Sequence, residues 1–373
     1  MPGSKRYTLN HKFRPLIGVF VNKKFFLNPK GKLFASKLIQ ANDQTLCSIY
    51  FFSPEDIDWR LKEINGSILE CNSDKWLNLR FPFPDIVYDR AVAFKKNQKK
   101  NVESIRQRLN TLPSVKLINS CTLEKWQVFQ KLAKFKYVNK FLPATILYNQ
   151  FEDVIDMLAR YGSVFLKNPA GSGGRSVLSV EKQENGFSVN YYKKRAHQKQ
   201  FARSLGDLQL LVEDLLKRMP EKIIVQQGIR LIKYNGRLLD LRVLLVKDKN
   251  GKWSAVYNQA RVAQKGTVIT NLSLGGDVAN YSTLYPELKK RYPQLPANHE
   301  ICLICVIIAR YIEKAFGPFG EIGMDIGIDE TGRVWFLEGN SKPSKLPEKF
   351  IEDNEGISPQ FLMTLEYAKL LYS

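Results

Sequence analysis

Histidine is scarce, with three in 373 residues. Chemistry that needs a histidine base, or a metal site built from imidazoles, therefore has little to draw on. The five cysteines, Cys47, Cys71, Cys121, Cys302 and Cys305, are odd in number and scattered, which excludes a disulfide framework and fits reduced thiols. Cys302 and Cys305 lie in an apolar, helix-like stretch without a second pair, so they read as core packing rather than as a zinc or redox site. Long apolar runs are missing as well: Ile301 to Ala309 is too short to cross a bilayer, and no secretory pattern opens the chain. A soluble, cytoplasmic protein is the expectation. Neither the Walker loop nor the dinucleotide Gly-x-Gly-x-x-Gly motif occurs. Acidic residues are few, 36 against 57 lysines and arginines, for a net charge of +21. The excess gathers at Lys95-Lys96 with Lys99-Lys100, at Lys193-Lys194-Arg195 and at Lys289-Lys290-Arg291. Such a field attracts anions of any kind. Without a binding motif or interleaved aromatics, nucleic acid is disfavoured and solvated faces account for most of the lysines.

What is present describes a folded chain. Apolar residues make up 44% and aromatics 12%, and the length suits two or three domains or one large multi-lobed enzyme core. A buried strand at Pro15 to Phe20, a helix at Ser36 to Asn42 and a strand at Cys47 to Phe52 open a small α/β domain reaching to about residue 120. Pro82-Phe83-Pro84 stops any helix before a strand at Ile86-Val87-Tyr88. An apolar stripe of Leu123, Trp126, Phe129 and Ala133 marks a helix with Lys125 near its start. A cation in the first turn opposes the helix dipole, so it is either a casual surface residue or one whose charge an anion wants. A further helix is expected from Phe151 to Tyr161 and a long one from His299 to Phe316.

Two stretches carry chemistry. In the first, a strand ends on Lys167 and a loop containing Gly171, Ser172, Gly173, Gly174 and Ser176 leads into another strand at Val177. Glycines let backbone N–H groups surround phosphate oxygens while the lysine adds a point charge, although a hairpin loop without function has the same composition. In the second, Gly323 to Asp329 and Val334 to Asn340 read as a hairpin turned by Asp329-Glu330-Thr331-Gly332. Glu338 and Asn340, two apart, share a face if the strand continues that far, and a tight turn would set Asp325 opposite Glu338. Two carboxylates and an amide oxygen are hard ligands suited to Mg²⁺. An ordinary hairpin with a polar wet face would read the same way. Between these stretches, Ile223 to Ile229 offers backbone polar groups beside apolar side chains, a place for an adenine. Asp240 and Arg242 share one face of a strand, and Arg261 lies on the next.

Taken together, and in this order, the pieces resemble the ATP-grasp superfamily and, more narrowly, the endospore coat-associated YheC/YheD family. The resemblance rests on Pro82 to Tyr88, Lys167-Asn168-Pro169 with its Gly-rich loop, Asp240-Leu241-Arg242, Ala260-Arg261-Val262-Ala263, Asn271-Leu272 with Gly275-Gly276, and Asp325 with Glu338-Gly339-Asn340. It implies an α+β fold in which two lobes, residues 121–225 and 226–373, clasp ATP behind an α/β domain of residues 1–120. It further implies Lys125, Lys167 and the loop Gly171 to Ser176 on the phosphates, and Gln226, Gln227 and Ile229 at the adenine. Asp240 would face the ribose. Arg242, Arg261 and Asn271 would act on the transferring group, and Asp325, Glu338 and Asn340 would hold one or two Mg²⁺ ions, or Mn²⁺. The implied activity is a carboxylate–amine ligase working through an acyl phosphate on a small-molecule or peptide acid. A setting in sporulation and spore-coat partners come with the name. A coat protein that binds ATP without turnover, or a kinase that stops at phosphoryl transfer, would fit the same residues.

Overall fold

A computed structural model of the chain describes residues 13–70, 75–119, 121–169, 177–193, 196–219, 222–267, 276–345 and 357–373. The first sheet contains β1 (Leu16–Phe20), β2 (Ser48–Phe52), β3 (Ile57–Asp58), β4 (Glu63–Glu70), β5 (Lys75–Pro82), β6 (Ile86–Asp89) and β7 (Lys116–Ile118). β2, β1, β6 and β7 lie side by side and parallel. That arrangement explains why Leu16 to Phe20 reads as an unbroken apolar run: all five residues are buried because both faces of the sheet are covered. One cover is α1 (Pro29–Asn42), whose first turn is set by Pro29 and by Asn28, which accepts the Lys30 N–H. The other is α2 (Lys96–Asn110), which buries Val102, Ile105 and Leu109 on one stripe. Lys99 and Lys100 form its exposed side, so this basic cluster is the solvated face of an amphipathic helix.

Two short helices, α3 (Lys125–Leu132) and α4 (Lys136–Asn139), precede an antiparallel sheet of six strands. These are β8 (Thr145–Leu147), β9 (Ser163–Lys167), β10 (Val177–Gln183), β11 (Gly186–Lys193), β12 (Ala196–Ala202) and β13 (Ile224–Gln227). α5 (Phe151–Tyr161) and α6 (Leu205–Leu216) bury Val154, Leu158, Leu208 and Val212 against the sheet. α5 stops at Gly162, whose φ of 73° suits glycine and whose N–H closes on the Leu158 carbonyl.

The third sheet is antiparallel throughout: β14 (Lys233–Tyr234), β15 (Arg237–Lys247), β16 (Trp253–Val262), β17 (Asp277–Asn280), β18 (Glu321–Ile328) and β19 (Val334–Asn340). One of its faces meets α7 (Tyr281–Arg291) and α8 (Asn298–Phe316), which turns Ile301, Cys305, Ile308 and Ile312 inward. Cys305 is thus a core residue, as its apolar surroundings in sequence led one to expect. Two stretches pack outside the segment that sequence order gives them. α3 and α4 join the core of the third sheet, with the Phe129 ring 5.9 Å from Phe336. The last helix, α9 (Pro359–Tyr372), returns to the first sheet, where Phe361 meets Phe34 edge-on at 5.1 Å.

Beyond β13 the chain passes tightly over β9. Gly228 donates its N–H to the Ser163 carbonyl at 2.8 Å, and a Cβ on Gly228 would stand 2.1 Å from Ser163 Oγ and 3.0 Å from its carbonyl carbon. Because the obstacle includes backbone, Gly228→Ala is expected to cost about 1–3 kcal/mol. A lower urea midpoint at unchanged slope is the result that checks it.

Candidate active site

Alternation along the strands of the third sheet separates two faces. Leu239, Leu241, Val243, Met324, Ile326 and Phe336 turn into the core. Asp240, Arg242, Arg261, Asp325, Glu338 and Asn340 occupy the opposite face. The register makes several of them direct cross-strand partners: Asp240 with Arg261, Arg242 with Asp325, and Asp325 with Glu338. The last pairing depends on a bulge. Ile326 pairs with Phe336 but Asp325 pairs with Glu338, so Leu337 is an extra residue in β19. Were the register unbroken, Leu337 would pair with Asp325 and Glu338 would fall opposite Met324 and turn toward the core.

The face is a ladder of paired charge. Asp240, 4% exposed, accepts from Arg261 through both oxygens, at 2.7 Å from Nε and 2.6 Å from Nη2. Arg261 also reaches Asp325 Oδ2 at 3.1 Å, and Arg242 Nε lies 3.0 Å from Asp325 Oδ1. Asp240 and Arg242 share this face without pairing: Asp240 is joined to Arg261, because the neighbouring strand brings that arginine directly opposite. Burial opposes ionisation of Asp325, but Arg242, Arg261 and Lys125 outweigh it and hold the carboxyl below the ordinary range. Glu338 goes the other way. Burial raises it, Lys125 draws it back and the Asp325 charge pushes it up again, for a net rise.

The two lysines come from different layers. Lys125 opens α3 and meets Glu338 at 3.2 Å, so the anion that its unfavourable helix position calls for is a carboxylate of the hairpin. Lys167, at the end of β9, donates to Gln226 Oε1 at 2.8 Å, and Gln226 in turn donates to Thr145 Oγ1 at 2.9 Å. Burial and the nearby Lys125 charge lower the Lys167 ammonium to about 8, against the opposing pull of Glu338 and Asp325. The second sheet thus presents its lysine to the charged face of the third. Gln227 is fixed to the start of β8: its N–H donates to the Ala144 carbonyl at 2.8 Å and its Oε1 accepts the Ala144 N–H at 3.2 Å. Ile229 follows in the same crossing, its carbonyl accepting the Leu231 N–H. Gly171, Ser172, Gly173, Gly174, Ser176 and Asn271 lie outside the described residues.

Among the described residues no group of three or more His, Cys, Asp or Glu side chains is placed to hold a metal. Asp325, Glu338 and Asn340 offer a smaller set, all oxygen donors, with Asn340 at the Gly323 register position next to the carboxylate pair. Asp325 Oδ1 is buried and accepts no hydrogen bond, its ion pair with Arg242 notwithstanding. An open lone pair on an ionised carboxylate, beside a second carboxylate, fits a hard cation that takes its remaining ligands from water and phosphate.

Some participants escape sequence reasoning. In sequence Thr145 reads only as part of a turn or a strand start, yet it anchors Gln226. Gln259 lies opposite Arg242 and is 6% exposed. Glu321, at the head of β18 and 1% exposed, accepts from the Tyr88 hydroxyl at 2.9 Å and pairs with Arg90 and Lys345. Nothing local marks Glu321, because its partners are distant in the chain.

The sequence profile of the family described as YheC/D-like ATP-grasp matches residues 114–371. The chain is 27% identical over 341 residues to the endospore coat-associated protein YheD of Bacillus subtilis strain 168, a match covering 89% of this chain and 73% of that protein. With the endospore coat-associated protein YheC of the same strain it shares 24% identity over 294 residues, covering 79% and 80%. Among solved structures it is similar to the ATP-grasp ligase PsnB complexed with minimal precursor. The TM-score is 0.54 at 14% identity, over 96% of this chain and 100% of PsnB.

Proposed function

Because this chain belongs to the YheC/D-like ATP-grasp family and has the α+β ATP-grasp fold, we propose that it is an ATP-dependent ligase that activates a carboxylate and joins it to an amine. The observation that carries the reading is Asp325, held between Arg242 and Glu338 across the sheet with Lys125 and Lys167 close by. Four cations around two hairpin carboxylates form a site for a polyphosphate and its counter-ion, and the site needs no histidine or cysteine nucleophile.

In this reading Lys125 and Lys167 receive phosphate oxygens, and the crossing from Gln226 to Ile229 borders the adenine. Asp240 holds Arg261 through its fork, so that Arg261 and Arg242 meet the transferring phosphoryl group in a fixed geometry. A substrate carboxylate oxygen bonds to the γ-phosphorus as the bond to the ADP oxygen breaks. The amine then attacks the acyl carbon, phosphate leaves, and the amine gives up a proton. Asp325, Glu338 and Asn340 would hold a divalent cation, Mg²⁺ before Mn²⁺, which when bound supplies neutralisation of the phosphate charge. The relatives' names associate them with the endospore coat, and we extend that setting to this chain.

The test uses purified protein, Mg²⁺, ATP, pools of carboxylic acids and hydroxylamine as the amine. Acid-dependent ADP release matched by hydroxamate, and abolished by EDTA, is the expected result. ATP affinity unchanged in a Glu338→Ala, Asn340→Ala double variant would count against the metal assignment. ATP binding without ADP release in any pool would leave a binding protein instead.

A further inference from the structure

The segment after Asn340 runs into a second collection of buried charge that the nucleotide does not explain. Tyr88, Asp89 and Arg90 stand at the carboxyl end of β6, where the strand order of the first sheet reverses: β2 lies on one side of β1, β6 and β7 on the other. In open parallel sheets, ligands lie outside the strand ends at such a reversal. Asp89 Oδ2 accepts from Arg106 Nε at 2.7 Å and from Lys342 Nζ at 2.6 Å. Glu321 is shared in the same way by Arg90 and by Lys345, the latter at 2.7 Å. Among the described residues two buried carboxylates serve four cations, and none of the four cationic side chains is more than 15% exposed. Glu103 also approaches Arg106, at 3.4 Å, but from the solvent side and 55% exposed.

Excess buried charge is costly unless an opposite charge joins it. Neutral donors would serve equally to tie down the Ala91 and Pro343 carbonyls, which Arg106, Lys342 and Arg90 also reach. The cluster is joined to the hairpin through its backbone: Lys342 lies two residues beyond Asn340, and Pro343 packs under Gly323. Tyr257, on β16, donates to the Ser344 carbonyl at 2.8 Å.

We propose that this junction binds a second acidic group of the substrate. The acid that is activated carries at least two carboxylates, one at the Arg242–Arg261 ladder and the other at Lys342 and Arg106. The identity of the first carboxylate rests on the ligase reading above, whereas binding of the second needs no turnover.

The experiment is calorimetric binding of triglutamate and of neutral triglutamine to the full chain at low salt, with Mg-ATP binding measured alongside. Triglutamate should bind at least about tenfold more tightly than triglutamine. It should weaken by about tenfold per cation lost in Lys342→Met and Arg106→Gln, persist in Lys342→Arg, and leave Mg-ATP affinity unchanged throughout. Should the Met and Gln variants fail to fold, the loss of wild-type triglutamate affinity on adding salt, with triglutamine unaffected, makes the same distinction. Equal binding of the two peptides, or unchanged triglutamate binding in folded variants, would overturn the proposal. So would no triglutamate binding at all, as expected if the chain's own Glu348, Glu352, Asp353 and Glu355 neutralise the cluster. Absence of Mg-ATP binding with triglutamate binding intact would overturn the ligase reading alone.

Discussion

Asp325→Asn is expected to lower acid-dependent ATP turnover by about 10²–10³-fold while the protein stays folded. The substitution keeps the shape of the side chain and removes its charge. Arg261 remains held by the two-point contact with Asp240, so that part of the ladder keeps its geometry. Arg242 loses the charge of its cross-strand partner, and the open, buried oxygen lone pair belongs to a neutral amide instead of an ionised carboxylate. Glu338, raised partly by the Asp325 charge, should then ionise more readily. That offsets part of the loss of charge but not the loss of a ligand. Turnover should fall and half-saturation by Mg²⁺ should move to higher concentration, with far-UV circular dichroism unchanged. Turnover within about threefold of wild type would remove Asp325 from the centre of the site.

Glu321→Ala should lower stability by about 3–5 kcal/mol, the cost of leaving buried charges uncompensated. It would strand Arg90 and Lys345 and take the acceptor from the Tyr88 hydroxyl, all at a position 1% exposed. Burial opposes ionisation of Glu321, but Lys345 and Arg90 prevail and hold its carboxyl below the ordinary value. Its contribution is therefore complete above the unfolded pKa of about 4.3 and is lost as pH falls through the lower folded value. Urea unfolding at pH 7 and at pH 3 tests both statements. The gap between wild type and variant should be wide at pH 7 and narrower at pH 3, and a gap under about 1 kcal/mol at pH 7 would show the cluster to be dispensable.

Local pattern carried a good deal of this. β1, α5, α8 and the two hairpin strands fall where apolar periodicity and turn residues put them, because each is short-range and repeats on its own period. Lys125, Lys167 and Asp325 stand out in the sequence as candidates, and the family resemblance adds Gln226, Asp240 and Arg261. What no spacing revealed was who partners whom. Asp240 pairs with Arg261 and Lys125 with Glu338 because neighbouring strands and a helix of another layer bring them together. α9 crosses back to the first sheet for the sake of contacts hundreds of residues away, such as Phe361 on Phe34.

The hairpin shows the division most plainly. The sequence by itself determined that Glu338 and Asn340 share a face of β19 and that carboxylates sit among apolar neighbours in both strands, since side chains alternate with a period of two. Only the tertiary structure decided that Asp325 and Glu338 share a face. One extra residue, Leu337, shifts the register between Phe336 and Glu338, and in a strand a one-residue shift exchanges the buried face for the open one.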